Sequence, residues 1–300
     1  MKDRRRVGLI LAGVAVVLFI AYYARYQSAQ RGVDVIPNPN GYDQIRQASL
    51  RIRDRLEDFE KLSDLELEVY LKECEPELTL LRQGLNLPSA VPVEFDANWI
   101  TTQLPVMMGA RNLGHALAVE AELFQRKGNL DQVVQSALDL VKLGLVVGNK
   151  GLAIDFMLGT ACEIQGAGII TNSLEILDPD QCKAVIEILE SLDSQRESLD
   201  SMFRREKRWG VAANGYLEYL KAMIEFRSWR PERSGYFNTQ VQVNARLKDL
   251  RLIRIRIATQ AFLLSRNQSP TNALELVPEF LKEVPLDPGT SQALTLEESK

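Results

Sequence analysis

The chain of 300 residues is 46% hydrophobic and 25% charged, which is the composition of an ordinary folded protein. Its formal net charge is −4, so it lacks the surplus of basic residues with which nucleic-acid-binding proteins neutralise phosphates. We therefore expect a folded domain with a hydrophobic core and no nucleic-acid partner.

The first predicted element is a membrane-spanning helix. Residues 7–23, VGLILAGVAVVLFIAYY, form an uncharged apolar run. A helix of this length spans about 26 Å and, with Ala24 added, just crosses the hydrocarbon core of a bilayer. The sequence therefore predicts a transmembrane helix over residues 7–24, with the lipid bilayer as its partner.

The charges around this helix predict its orientation. More basic residues precede the apolar run than follow it closely, namely Lys2, Arg4, Arg5 and Arg6 against Arg25 and Arg31. Because cytoplasmic flanks carry the excess of Lys and Arg, we expect residues 1–6 to be a cytoplasmic tail and the bulk of the chain to lie outside. A cleaved signal peptide is the alternative. It is disfavoured because Tyr22 and Gln27 stand two residues before Ala24 and Ala29, where an A-x-A cleavage site needs a small residue.

A linker and two helices are predicted next. Residues 25–41 end in RGVDVIPNPNG, whose Pro, Gly and Asn residues exclude a regular element and indicate a linker. Apolar residues then recur three and four apart over residues 42–59, which predicts one helix. Ser63 and Glu66 form the capping-box pattern that opens the next helix. Pro76 is expected to kink that helix and to start a second segment.

The rest of the domain, which is expected to run over residues 42–288, is also predicted to be helical. The expected helices cover 99–127 with a break at Pro105, 130–147, 151–176, a segment capped by Asp178, 195–225 and 239–266. Within the last of these, RLIRIRIA alternates like a strand, but a helical face continues well past the alternation. Residues 289–300 are expected to be a disordered tail.

These elements predict an all-α fold with one N-terminal transmembrane helix followed by a multi-helix antiparallel domain. Whether that domain is a bundle or a short solenoid stays open from the sequence. The stretch AELFQRKGNLDQVVQSAL resembles one tetratricopeptide-like hairpin, with Ala121, Gly128 and Ala137 at the expected positions. No second copy occurs in the sequence at that period, and helical hairpins in general share these features.

Cysteine and histidine are too sparse to indicate a metal site. Cys74, Cys162 and Cys182 form no C-x-x-C pair, and we expect three buried small hydrophobic residues, with one disulfide as the alternative in an oxidising compartment. His115 is the only histidine in the sequence. The phosphate-loop, dinucleotide and G-x-S-x-G motifs do not occur either. The sequence therefore gives no reason to expect a metal, a cofactor or serine-hydrolase chemistry.

One polar group is a candidate for catalysis, because two carboxylates on facing helices can act as a general acid and a general base. Its members lie on three neighbouring predicted helices and are His115, Glu120, Glu122, Asp155 and Glu163. The alternative is that each is a surface or internally paired side chain. That alternative is favoured, since a lone histidine on an amphipathic helix is most often structural.

Two basic clusters are candidates for binding an anionic partner, such as phospholipid headgroups or an acidic polymer. The first cluster is Arg204, Arg205, Lys207, Arg208 and Trp209. The second cluster is Arg246, Lys248, Arg251, Arg254 and Arg256. Acidic residues share the first helix, so ion pairing on a solvated face is the favoured alternative for both.

The C-terminal segment LELVPEFLKEVPLDPGTSQAL resembles the closing motif, LVPxxLxxVPxDP, of an uncharacterised bacterial family of single-pass, membrane-anchored helical proteins found in planctomycete-type genomes. LLRQGLNLPSAVP, NLGHALAVEAELFQRKGNLDQVVQSALDLVKLG and RREKRWG precede it in the order that this family shows. The likeness covers most of residues 40–293, although Gly289 stands where the family has an aromatic residue. It implies a location in the bacterial cytoplasmic (inner) membrane and no assigned activity.

An anchor, stacked helices and the lack of a catalytic motif together favour a scaffold over an enzyme. We therefore expect a membrane-anchored helical scaffold or protein-interaction module of the bacterial cell envelope, with a protein partner. The alternative is an envelope hydrolase that uses carboxylates on facing helices.

Overall fold

The structure, a computed structural model, describes residues 35–215 and 235–299. The predicted cytoplasmic tail, the transmembrane helix over 7–24 and most of the linker lie outside these residues. All of the elements below belong to one compact unit, Ile36–Lys300. Within the described ranges the chain has eight α-helices and no β-strand, which confirms the all-α prediction and gives a multi-helix bundle.

In chain order the helices are α1 (Gly41–Ser49), α2 (Asp64–Leu85), α3 (Trp99–Arg126), α4 (Leu130–Gly148), α5 (Ala153–Asn172), α6 (Pro179–Ser194), α7 (Leu199–Asn214) and α8 (Gly235–Arg266). Short 3₁₀ turns cover Phe59–Lys61, Leu174–Ile176 and Ala273–Leu276. Two predicted helix starts are confirmed. Ser63 and Glu66 close a capping box at α2, and Asp178 caps α6.

The predicted breaks at the internal prolines are wrong, because α2 runs unbroken through Pro76 and α3 through Pro105. A proline inside a helix removes one hydrogen bond and crowds the preceding turn. In both helices buried residues lie within two positions of the proline, as Cys74 and Leu78 do in α2 and Gln103 and Val106 do in α3. The packing of buried residues on both sides of each proline therefore outweighs the tendency of proline to break a helix.

The first helix is shorter than predicted, since α1 ends at Ser49 instead of continuing to residue 59. The Ser49 carbonyl group lies directly against Gly109 of α3, where a β-carbon would not fit. Residues 50–58 then cross the domain without regular structure. Ile52 and Leu56 still pack against the core. The apolar spacing that predicted a helix here therefore results from the burial of side chains of a loop.

α4 and α5 form the central antiparallel pair of the bundle. Gly144 lies against Gly159, and Gly166 lies against the Ala137 carbonyl group, so residue numbers rise along one helix as they fall along the other. One hydrophobic cluster joins these helices to α1, α2 and α3, while a second joins them to α6, α8 and the C-terminal segment.

By length and composition, α5 is the one helix in the described ranges that could cross a membrane. This is weak evidence for a span, because the core helix of a folded domain passes the same test. Half of the apolar stretch of α5 is buried inside the domain. Asp155 and Glu163 of this helix are also buried and are hydrogen-bonded to neighbouring residues. These features are those of a core helix.

The C-terminal residues do not form the disordered tail that was predicted for 289–300. The Leu294 amide donates to the Pro285 carbonyl oxygen (2.9 Å), and the Leu294 side chain is buried in the second hydrophobic cluster. Lys248 pairs with Glu298 (2.7 Å), which ties the same segment to α8. Because most residues of this segment are polar, the sequence did not indicate that Leu294 would anchor it to the domain.

Candidate functional site

The candidate catalytic side chains on one face of α3 hold a loop in place. His115 Nε2 donates to the Leu56 carbonyl oxygen (2.8 Å), and its ring lies edge-on to Phe59 with 5.2 Å between ring centroids. Burial lowers the pKa of His115, which keeps the ring neutral at pH 7. Glu122 accepts a hydrogen bond from Arg126 Nε (2.7 Å), and Arg126 in turn donates to carbonyl oxygens of the same loop.

Glu120 belongs to a separate, partly buried network. Its Oε2 atom accepts hydrogen bonds from Arg82 (2.5 Å) and from Ser136 Oγ (2.6 Å). Arg82 also donates from Nε to Asp139 Oδ2 (2.9 Å), so one guanidinium joins two carboxylates from α3 and α4. These bonds explain the position of Glu120 without a substrate.

Asp155 is fully buried at the start of α5. Its Oδ2 atom accepts the Leu152 amide hydrogen (2.9 Å), and its Oδ1 atom accepts a hydrogen bond from Gln103 Nε2 (3.3 Å). Gln103 is also hydrogen-bonded to the Tyr42 hydroxyl group. Burial raises the pKa of Asp155 to about 6. A carboxyl group with no exposed surface cannot reach a substrate in this arrangement.

Glu163 forms a bidentate ion pair with Arg196 inside the domain, on the far half of α5 from Asp155. The five candidate side chains therefore belong to separate hydrogen-bond sets, except that His115 and Glu122 both serve the loop at 56–62. No two of the four carboxylates share a partner. The structure does not bring the acid and base of the hydrolase hypothesis to a common site.

The first basic cluster is divided between the inside and the outside of the domain. Arg205 is buried and pairs with Glu197 through Nη2 (2.7 Å). Trp209 Nε1 donates to the Asp96 carbonyl oxygen (2.9 Å), and the Arg208 guanidinium lies 4.8 Å from the Phe95 ring centroid. This leaves Arg204 and Lys207 as the exposed members.

The second basic cluster also makes internal contacts along α8. Arg246 donates to the Met157 carbonyl oxygen (3.0 Å) and Arg256 to that of Ser299 (2.8 Å). Lys248 pairs with Asp287 (3.0 Å) as well as with the C-terminal segment. Arg251 and Arg254 both reach Asp193 of α6 at 3.3 Å. These bonds dock α5, α6 and the C-terminal segment onto α8.

One open recess among the described residues is a groove between α4, α6 and the loop after α2, which we call the α4–α6 groove. Its volume is about 360 Å³. Apolar side chains make up just over half of its lining, namely Leu85, Leu87, Pro88, Leu145, Val146, Ile188 and Leu192. A half-enclosed apolar recess with a polar edge is typical of surfaces that bind a ligand or another protein.

The loop that forms one wall of this groove is firmly held. Asn149 Nδ2 donates to the Ser89 carbonyl oxygen (2.6 Å), and the Val91 amide donates to the Asn149 carbonyl oxygen (2.9 Å). From the other side, Asn40 Nδ2 donates to the Ala90 carbonyl oxygen (2.9 Å). The groove is therefore preformed, and a ligand does not have to order this wall on binding.

Lys142 is the one charged residue in the lining of the groove. Its side chain is half-buried, and it makes no hydrogen bond or ion pair with any residue that the structure describes. Ser191 and Gln195 complete the polar edge on α6. The lining thus carries a single positive charge, which favours a ligand with a negative one.

The chain was compared with protein-family models, with curated proteins and with solved structures, and none of them matched it. The resemblance to the planctomycete-type family therefore stays a prediction. In the described ranges, no group of three His, Cys, Asp or Glu residues is placed to hold a metal ion.

Sequence analysis missed the groove because its walls come from three separate segments of the chain. One local signal was available. Lys142 interrupts LDLVKLGLVVG, a run of α4 in which all of the other residues are buried. A lysine at such a position must emerge at a surface recess or be paired.

Proposed function

We propose that the chain is a membrane-anchored protein-interaction module of the bacterial cell envelope, and that the α4–α6 groove binds a segment of its protein partner. The observation that carries this proposal is the preformed groove with half-buried Lys142 at its edge, which has no partner among the described residues. The partner segment would place apolar side chains on the groove floor and an acidic side chain against Lys142. Binding of an amphipathic segment in an apolar groove is a common mode of recognition.

The separation of the candidate carboxylates supports this proposal over the envelope hydrolase. Glu120 accepts a hydrogen bond from Arg82, and Asp155 accepts one from Gln103. A hydrolase of the predicted type needs two carboxylates that flank one bond. The described residues offer no such pair among the candidates.

The membrane part of the proposal rests on the apolar run over residues 7–24 and on the basic tail before it. The outside location of residues 42–288 follows from the excess of basic residues at the N-terminus. A C-terminal alkaline phosphatase fusion should be active, and a C-terminal green fluorescent protein fusion that is exported unfolded should be dark. The reverse pattern would place the domain in the cytoplasm.

The groove is tested by co-purification from native membranes. Ser191 is exposed in the groove, so Ser191→Trp fills the recess without changing the core. Gln132→Trp is the matched control, because Gln132 is exposed near the opposite end of α4. The proposal predicts that a partner retained by the unmodified chain and by the control is lost with Ser191→Trp and with Lys142→Glu. Equal recovery in all four samples would contradict it.

A further inference from the structure

Arg254 of α8 is a buried cation with too few partners. The residue is only 9% exposed, and its Nη1 atom lies 3.3 Å from Asp193 Oδ2. Its Nε atom is buried and has no hydrogen-bond partner among the described residues. Burial lowers the pKa of Arg254, which reflects the same lack of compensation. A buried N–H group without an acceptor is unfavourable, so an additional acceptor next to Arg254 Nε would stabilise the fold.

The charges around Arg254 do not balance. Glu163 is already engaged in its bidentate pair with Arg196. Asp193 is shared, because its Oδ2 atom also lies 3.3 Å from Arg251 Nε and its Oδ1 atom lies 3.5 Å from Arg196 Nε. Three guanidinium groups thus face two carboxylates, and one positive charge remains uncompensated at close range.

Two more acidic residues act on Arg254 from a longer distance, namely Glu190 and Glu283. Glu190 accepts a hydrogen bond from the Lys282 backbone amide (3.0 Å) and lies 3.8 Å from the Lys282 ammonium group. Glu283 is exposed to solvent. Neither residue supplies the Nε atom of Arg254 with an acceptor.

A small cavity lies between α4, α5, α6 and α8. Its charged lining residues are Glu163, Asp193, Arg196, Arg251 and Arg254. Its other walls are apolar and come from Val141, Ala167, Leu189, Leu192 and Leu250. The cavity volume is about 20 Å³. A space of this size holds about one water-sized sphere. A halide ion is somewhat larger than a water molecule, whereas a phosphate or a sulfate ion is much larger than this space.

We propose that this cavity binds one small monovalent anion of halide size, which accepts a hydrogen bond from Arg254 Nε. Arg196 and Arg251 supply the surrounding positive charge, since hydrogen bonds from a guanidinium to an anion are stronger than those between neutral groups. The bound anion compensates the excess charge and links α6 to α8. This inference is independent of the α4–α6 groove, because no partner protein is needed for the anion to bind.

The first test compares thermal unfolding of the full chain, purified in detergent, in sodium chloride and in sodium gluconate at equal concentration. Gluconate is too large for the cavity and controls for ionic strength. The unfolding midpoint should rise with chloride and level off, with a rise of about 3 °C when chloride is ten times its dissociation constant. Identical midpoints in the two salts overturn the proposal.

Two variants show whether this effect belongs to the cavity. Arg254→Met should abolish the chloride-dependent rise, while its midpoint in gluconate stays close to that of the unmodified chain or increases. Arg204→Met removes an exposed arginine on α7 and is the matched control, so it should keep the full rise. A chloride effect that survives Arg254→Met overturns the proposal.

A second measurement needs no variant and stays informative if Arg254→Met fails to fold. Crystals of the unmodified full chain grown in sodium bromide should show an anomalous scattering peak within hydrogen-bond distance of Arg254 Nε. Ordered water at that position without an anomalous peak overturns the proposal.

Discussion

Gly144 of α4 and Gly159 of α5 face each other at the closest approach of the two central helices, where a β-carbon on either residue would collide with the backbone carbonyl oxygen of the other. Glycine is required on both sides because the obstruction is backbone and cannot turn aside. The contact brings α4 and α5 together at the level of Glu163, whose side chain also lies against Gly144.

We predict that Gly159→Ala lowers the free energy of unfolding by about 1–3 kcal/mol, because α4 and α5 must move apart to admit the methyl group. Gly168→Ala on the same helix is the matched control, since a β-carbon there meets no atom within 4 Å. Alanine has the higher helix propensity, so the control should be neutral or stabilising by about 0.5–1 kcal/mol. Urea unfolding of both variants measures this, and equal stability of the two would contradict the close contact.

The fully buried carboxyl group of Asp155 predicts a pH dependence of stability. Burial raises its pKa from the ordinary 3.8 to about 6, so the folded chain holds this proton more tightly than the unfolded chain. Its contribution to stability is therefore complete below about pH 4 and is lost as the pH rises through about 6. The change amounts to at most about 3 kcal/mol.

Asp155→Asn removes this titration while its amide oxygen can still accept the Leu152 amide hydrogen. The stability of the variant relative to the unmodified chain should increase between pH 4 and pH 7, as measured by urea unfolding at a series of pH values. Glu206 also has a raised pKa through burial, and its charge contributes to the raised pKa of Asp155, so the pH dependence of the difference includes the coupling between these two groups. A difference that stays constant with pH would show that Asp155 titrates as an ordinary carboxyl group.

Two glutamates on α3 are predicted to respond differently to truncation. Glu120→Ala leaves Arg82 and buried Ser136 without one of their acceptors in a partly buried network, so it should lower the free energy of unfolding by about 1–3 kcal/mol. Glu122→Ala removes an i,i+4 pair near the surface and should cost about 0.5 kcal/mol or less. Chemical unfolding checks both values. Unchanged stability of Glu120→Ala together with lost cellular function would instead favour the hydrolase hypothesis.

The helical content and several helix starts could be predicted because their signals are local. Ser63 with Glu66 at the start of α2 is one example, and Asp178 at the start of α6 is another. The end of α1 could not be predicted, because it is decided by the contact between Ser49 and Gly109, which are far apart in the sequence. Propensity contains no information about such a contact.

The candidate side chains were predicted by residue type, whereas their partners depend on the tertiary structure. Glu163 was grouped with the catalytic candidates, yet it pairs with Arg196, which follows a different helix. Arg205 was grouped with a surface cluster, yet it turns inward to Glu197 and to the Gly151 carbonyl oxygen. The three cysteines did follow prediction, because Cys74, Cys162 and Cys182 are all free and buried.

The proposed role of the α4–α6 groove is tested most directly by site-specific photo-crosslinking in intact cells of the native organism. A benzophenone amino acid replaces Ser191 in the groove or, as the control, Gln132 at the exposed start of α4. We predict one discrete crosslinked protein from position 191 that is absent from position 132 and that disappears when Lys142→Glu is added. Crosslinks that are the same at both positions, or that persist with Lys142→Glu, would contradict a partner-binding groove.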